Sequence, residues 1–177
     1  MVEWLLLSYR VPNQPSALRV ASWRALKQRG AVLLGPGLYA LPETAENREA
    51  LSELSVRITE GGGTAIAMNA SAMTPDDQRA LELKFEAARH DEYQQVIKSA
   101  HKLFDHIGRE EATRDYRFAE VESLEQELQK VRRQLALVIG RDLIGLPMRA
   151  EAEAALATAE ARLHQYLDNA YQEENQA

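Results

Sequence analysis

The stretch WLLLSYRVPNQPSALRVASWRALKQRGAVLLGPGLYALP, residues 4–42, carries the information that decides the fold. Trp4 to Val11 is apolar and aromatic and stops at Pro12-Asn13-Gln14-Pro15, which reads as a buried strand closed by turn residues. Ser16 then opens a segment in which Leu18, Ala21/Ser22 and Ala25/Leu26 share one helical face, and Gly30 ends it. That is an amphipathic helix with a hydroxyl at its start and glycine at its end. Ala31–Leu34 and Leu38–Leu41 flank Gly35-Pro36-Gly37, a hairpin signal.

Downstream, Thr44 opens a second helix whose apolar surface comes from Leu51, Leu54, Val56 and Ile58, and Gly61-Gly62-Gly63 closes it. Thr64–Met68 follows as a fourth strand. The order β-α-β-β-α-β predicts an α+β head over residues 1–73, with the split βαβ arrangement of a ferredoxin-like sandwich. Residues 74–177 change character and predict a long α-helical tail. Thr74-Pro75-Asp76-Asp77 combines a capping hydroxyl, a first-turn proline and acids at the positive helix end. This helix is expected to reach about Gly108, with a break near Arg89-His90-Asp91. Val121, Leu124, Leu128, Val131, Leu135 and Val138 then recur at alternating three- and four-residue steps. Gly145-Leu146-Pro147 interrupts, and Leu156, Ala159, Leu163, Tyr166 and Ala170 line a last helix. Two antiparallel helices joined by a short turn fit this pattern. The polar Gln172–Ala177 is expected to fray.

Among its 177 residues the chain has no cysteine, which removes disulfides, zinc-thiolate sites and thiol nucleophiles and fits a reducing cytoplasm. The apolar run after Met1 falls far short of a membrane span, so no membrane association is expected. Net charge is −6, unevenly spread. Residues 1–70 carry net +1 and residues 71–177 net −7. Within the first 35 residues Arg10, Arg19, Arg24, Lys27 and Arg29 stand against Glu3 alone. An acidic whole disfavours nonspecific nucleic-acid binding, whereas a local basic face on the head can still meet phosphate.

No nucleophile–base constellation, phosphate-gripping loop or dinucleotide fingerprint is present, and the expectation is a binding or regulatory module with no catalytic residues and no cofactor. The triple glycine lacks the lysine and Ser/Thr that grip phosphate. Tyr9-Arg10 puts a cation where a metal-dependent nuclease of this fold would need a carboxylate at the end of its first strand. His101 and Asp105 share a helical face with His106 adjacent, but two ligands do not make a metal site, and no metal is expected. The basic first helix has two readings: a solvated surface, or a DNA-phosphate contact through Arg19, Arg24 and Lys27 beside Trp23. The tail stripe also has two: a hairpin core, or a homodimer seam using Leu137 and Ile139 outside it.

The head resembles the N-terminal domain of the ChrB chromate-resistance regulators. The resemblance rests on Trp4-Leu5-Leu6-Leu7, Pro12, Ser16-Ala17-Leu18-Arg19-Val20, Trp23-Arg24, Leu26-Lys27, Gly30-Ala31, and Gly37, Tyr39, Leu41-Pro42. In the tail it continues through Phe118-Ala119-Glu120, Leu124/Leu128, Arg141-Asp142, and Pro147, Arg149, Glu151-Ala152-Glu153-Ala154-Ala155-Leu156. A weaker likeness links the head to the ferredoxin-like domain of the phenylacetate-operon repressor family. The first resemblance implies a chromate-responsive transcriptional regulator that binds DNA, with a further C-terminal chromate-resistance domain supplied in cis or as a separate partner protein. No helix-turn-helix is recognisable. Chromate is a tetrahedral oxyanion of the kind held by arginine forks and helix N-termini. Arg141 and Arg149 flank the Gly145–Pro147 turn and are the candidates for binding it, the alternative being a salt bridge for each. The other function class consistent with the sequence is a protein-interaction module that docks a partner through the tail without touching DNA.

Overall fold

The computed structural model describes residues 3–14, 16–114 and 116–175, so Pro15 of the first turn and Gln176–Ala177 of the polar end lie outside the described residues. The chain divides into two compact units, 1–88 and 89–177.

In the first unit the elements run β1 (Trp4–Arg10), α1 (Ser16–Gln28), β2 (Val32–Gly35), β3 (Leu38–Pro42), α2 (Ala45–Glu60) and β4 (Thr64–Ala70). The four strands form one antiparallel sheet in the order β2-β3-β1-β4. The β-α-β-β-α-β order is the one expected. Strand alternation assigns the faces. Leu5 and Leu7 point to one side, where Leu26 of α1 and Leu51, Leu54 and Ile58 of α2 bury them. Each such leucine or isoleucine contributes about 1.5–3 kcal/mol by leaving water. Val56, expected among them, is 55% exposed because it sits between the inward rows of α2.

Trp4 and Leu6 face the other side of the sheet, where the opening turns of α3 (Pro75–Thr113) supply Leu81 and Phe85. The indole Nε1 of Trp4 donates to Gln78 Oε1 at 2.9 Å, and its ring lies 4.8 Å from that of Phe85. Thr74 starts α3 as expected, its hydroxyl accepting from the Asp77 backbone N–H at 3.1 Å. Two glycines are required by close approach. At Gly37, with φ +72°, a Cβ would sit 2.5 Å from the Tyr9 carbonyl oxygen, and at Gly63 it would sit 2.5 Å from that of Arg10.

The second unit is a three-helix packing built from the later turns of α3, α4 (Phe118–Arg141) and α5 (Met148–Glu174). The expected break at Arg89-His90-Asp91 does not occur, nor does the expected end at Gly108. Arg89 is 3% exposed and pairs with Glu92 one turn later, so this charged triplet is partly core instead of solvated breaker. Gly108 is covered by the Arg162 guanidinium, which also lies 4.2 Å over the Phe104 ring and 2.6 Å from Glu111. All three helices carry the same three-four stripe: Tyr93, Val96, Ala100, Leu103 and Ile107; Leu124, Leu128, Val131, Leu135 and Val138; Ala152, Leu156, Ala159, Leu163 and Tyr166. Arg141 meets Glu92 while Glu127 meets His106, so α4 runs back along α3. The predicted hairpin of α4 and α5 therefore has a third member. Ile139 packs on this core, whereas Leu137 stays 56% exposed. Helix α5 continues through Glu174 where fraying was expected from Gln172. Among the described residues no helix is long and apolar enough to cross a membrane.

Candidate functional site

Two clusters of cations are set by different elements. On α1, Ser22 and Leu26 are buried, and the i, i+4, i+8 spacing therefore lines Arg19, Trp23 and Lys27 along an outward face, with Val20 and Arg24 on the adjacent row. Arg19, Arg24 and Lys27 are all exposed, as is Trp23 at 48% and Val20 at 38%. At 1.5 Å per residue the row spans about 12 Å. No ion pair forms on any of these three cations among the described residues. The result is a surface where guanidinium and ammonium groups flank an accessible indole, chemistry suited to phosphate contact and stacking. Arg10 ends β1 in an exposed position, as its place in the sequence indicated.

The second cluster surrounds the α4–α5 turn. Arg141 Nη1 lies 3.2 Å from Glu92 Oε1, and Arg89 Nη2 donates to the same oxygen at 3.2 Å while its Nε stands 3.1 Å from Oε2 without hydrogen-bond geometry. Burial pulls the Arg89 pKa down from its ordinary value against the pull of Glu92, and the neighbouring Arg141 charge adds to that lowering. Arg149 pairs instead with Glu153 at 2.8 Å, which raises its pKa. Thus Arg141 and Arg149 both flank the turn as expected, but each is held by a carboxylate.

Between them sits Asp142, not singled out from the sequence as a site residue. Its carboxylate accepts the backbone N–H groups of Ile144 at 3.3 Å, Gly145 at 2.8 Å and Leu146 at 2.9 Å, and the Tyr93 hydroxyl at 3.0 Å. Burial alone would raise the Asp142 pKa, but the bonds from Leu146, Gly145, Tyr93 and Ile144 together outweigh it and leave the carboxyl below its ordinary value. The same burial and the facing Asp142 charge drive the Tyr93 phenol well above its usual range. The turn N–H groups that precede α5 are therefore occupied by an internal anion. An Asp followed within a few residues by Gly and Pro is the local signal for such a turn.

Of the histidines, His101 is exposed, as is Asp105, and they line no common site; His106 is partly buried against α4.

The sequence matches the family model described as Protein ChrB, N-terminal, over residues 19–177. It is also similar to Protein ChrB of Cupriavidus metallidurans, 32% identical over 90 residues, which are 51% of this chain and 27% of that protein. The match thus spans about a quarter of the relative's length.

Proposed function

We propose a function from one premise: this chain belongs to the ChrB N-terminal family, and it serves as the DNA-contacting, oxyanion-responsive part of a chromate-resistance regulator. The observation that carries this reading is the outward face of α1, where Arg19, Arg24 and Lys27 surround the exposed Trp23 with no carboxylate bound to them among the described residues. Cations unneutralised by their own protein are the ones that release counterions from a polyanion. Oxyanion sensing is assigned to Arg141 and Arg149. Chromate would exchange with Glu92 and Glu153 as their partner, two carboxylates for one doubly charged tetrahedral anion, and so loosen the α4–α5 turn. We assign it to the cytoplasm as a homodimer without catalytic activity, and the remaining regulator length to a further chromate-resistance domain acting with it.

Trp23 makes the test specific, because the second tryptophan, Trp4, is 1% exposed. DNA from upstream of the gene should quench and blue-shift Trp23 emission in the whole protein. Binding should weaken steeply with salt and be released by chromate but not by sulfate. Each of Arg19→Ala, Arg24→Ala and Lys27→Ala should reduce the slope of log affinity against log salt by about 0.9 for every phosphate the variant no longer neutralises. No salt-sensitive binding at low salt would remove the DNA reading.

A second reading has one specific observation in its favour. Tyr116, Phe118, Val121, Leu167, Ala170 and Tyr171 line an open apolar hollow of about 490 Å³, with Phe118 81% and Tyr171 69% exposed. An interaction module would dock a partner protein there, and Phe118→Ser would abolish that docking without altering DNA affinity.

A further inference from the structure

Where α3 leads into α4, three acidic side chains converge on a single imidazole. His106 and Glu110 stand one turn apart on α3, and Glu120 lies in the first turn of α4. One ligand-type atom from each of these three lies within 4.8 Å of the others, and all three side chains are partly buried. Glu127, two turns further along α4, places its Oε1 3.2 Å from His106 Nδ1. Arg117 approaches Glu120 at 3.4 Å from a 71% exposed position, so it addresses one of the three carboxylates from the solvent side.

The two ring nitrogens have different surroundings. The contact with Glu127 places a proton on Nδ1, since a carboxylate only accepts. In the neutral imidazole Nε2 then carries the lone pair, yet it lies 3.5 Å from Glu110 Oε1, another acceptor. A cation seated between Nε2 and that carboxylate oxygen would be held by both. Ligands about 2.0–2.2 Å from a tetrahedral ion stand roughly 3.3–3.6 Å from one another. The separation of Nε2 from Glu110 falls within that range, and a Glu120 oxygen lies within 4.8 Å of a ligand-type atom of each.

We propose that His106 Nε2, Glu110 and Glu120 bind one divalent transition-metal ion, with Glu127 orienting the imidazole from outside the coordination sphere. One nitrogen and two carboxylate oxygens suit ions such as Zn²⁺, Co²⁺ or Mn²⁺ over soft monovalent ones, and water completes the coordination. The outer carboxylate fixes the tautomer and raises the basicity of the ligating nitrogen. The ion ties the first turn of α4 to α3 by coordination at a place where three like charges would otherwise repel.

The test uses the whole chain, stripped with chelator and titrated with Co²⁺. The expected result is saturable binding of one ion per chain, with visible d–d absorption that Zn²⁺ erases. Glu110→Gln and Glu120→Gln, close in shape to the native residues, should each weaken binding at least about tenfold, and His106→Ala should abolish it. Glu127→Gln should keep the one-to-one ratio and lower affinity by about 10–100-fold. His101→Ala and His164→Ala, both at exposed positions, should change nothing. Far-UV circular dichroism confirms that each variant folds, and if His106→Ala does not, the two glutamine variants decide. No saturation by about 1 mM Co²⁺, or binding that survives Glu110→Gln and Glu120→Gln, overturns the proposal.

Discussion

Truncating Asp142 to alanine removes the acceptor for three backbone donors and one phenol at once, and its cost can be worked from the geometry. The bonds from Gly145 and Leu146 at 2.8 and 2.9 Å are of full strength, and that from Ile144 at 3.3 Å is weak. Bonds to a charged acceptor net about 1.5–3 kcal/mol each, but water rehydrates the exposed Gly145 N–H after truncation, so about 1 kcal/mol apiece is the expected loss for the two strong ones. The Tyr93 hydroxyl belongs to a buried residue and loses its acceptor, adding about 1 kcal/mol or more. The sum is about 3 kcal/mol. Urea unfolding followed by far-UV circular dichroism is the assay, since both tryptophans lie in the first unit and do not report the second. Tyr93→Phe alone should cost about 1 kcal/mol, and the double variant should cost less than the two singles together, as direct partners do. The folded pKa of Asp142 lies below its unfolded value, so its contribution is fully present above about pH 4 and fades as pH falls through the folded pKa. Asp142→Asn should flatten that part of the acid limb. A loss below about 1 kcal/mol for Asp142→Ala, or strict additivity with Tyr93→Phe, would refute the reasoning.

Three further substitutions probe other parts of the molecule. Glu92→Gln removes the carboxylate charge that the buried Arg89 and the adjoining Arg141 share; it should cost about 1–3 kcal/mol in the same unfolding assay, moderated by the 28% exposure of Glu92. Gly63→Ala forces a Cβ against the Arg10 carbonyl oxygen and Ile58, and should destabilise the first unit by about 1–3 kcal/mol as read by Trp4 fluorescence in a Trp23→Phe background. Leu135→Ala empties a buried site and should cost about 2–5 kcal/mol, whereas Leu137→Ser should stay within about 0.5 kcal/mol. If Leu137 lies in a dimer seam, Leu137→Ser will instead lower the sedimentation coefficient.

The head was legible because its signals are local. Pro12, Gly35-Pro36-Gly37 and Gly61–Gly63 punctuate runs whose period changes from two to 3.6, and the elements fall where that punctuation puts them. The α4 and α5 stripes were legible for the same reason. The α3 stripe was not, although Tyr93, Val96, Ala100, Leu103 and Ile107 repeat it as cleanly. Arg89-His90-Asp91 and Gly108 resembled breakers, but Arg89 is met by Glu92 one turn on, which Arg141 reaches from far along the chain, and Gly108 is covered by Arg162 from as far away. The outward cations of α1 followed from helical spacing alone. The pairing of Arg141 with Glu92 spans 49 residues, and no spacing rule reaches that far. The pair singled out from the sequence was His101 with Asp105; the i, i+4 spacing of His106 and Glu110 was passed over, and Glu120 and Glu127 join it only once α4 folds back along α3.

The charge of the first unit is segregated in a way that bears on its proposed partner. Its bases Arg19, Arg24 and Lys27 belong to α1, which holds no acid, while α2 sets the acids Glu46, Glu49, Glu53 and Glu60 against Arg48 and Arg57, and both helices pack on the same sheet face. Adjacent packed helices lie about 8–10 Å apart, close to the screening length of about 8–10 Å at physiological ionic strength. At that salt the α2 acids are largely hidden from a phosphate arriving at α1, whereas at low salt they oppose it. Counterion release pulls affinity upward as salt falls, and this self-repulsion pulls it down. The two give a salt dependence that flattens below about 0.05 M instead of rising along one straight line, because the screening length there exceeds the helix separation. If the proposed DNA contact is made, an acidic chain with one basic helix face should engage DNA in the orientation that presents α1, its net charge disfavouring other modes of approach.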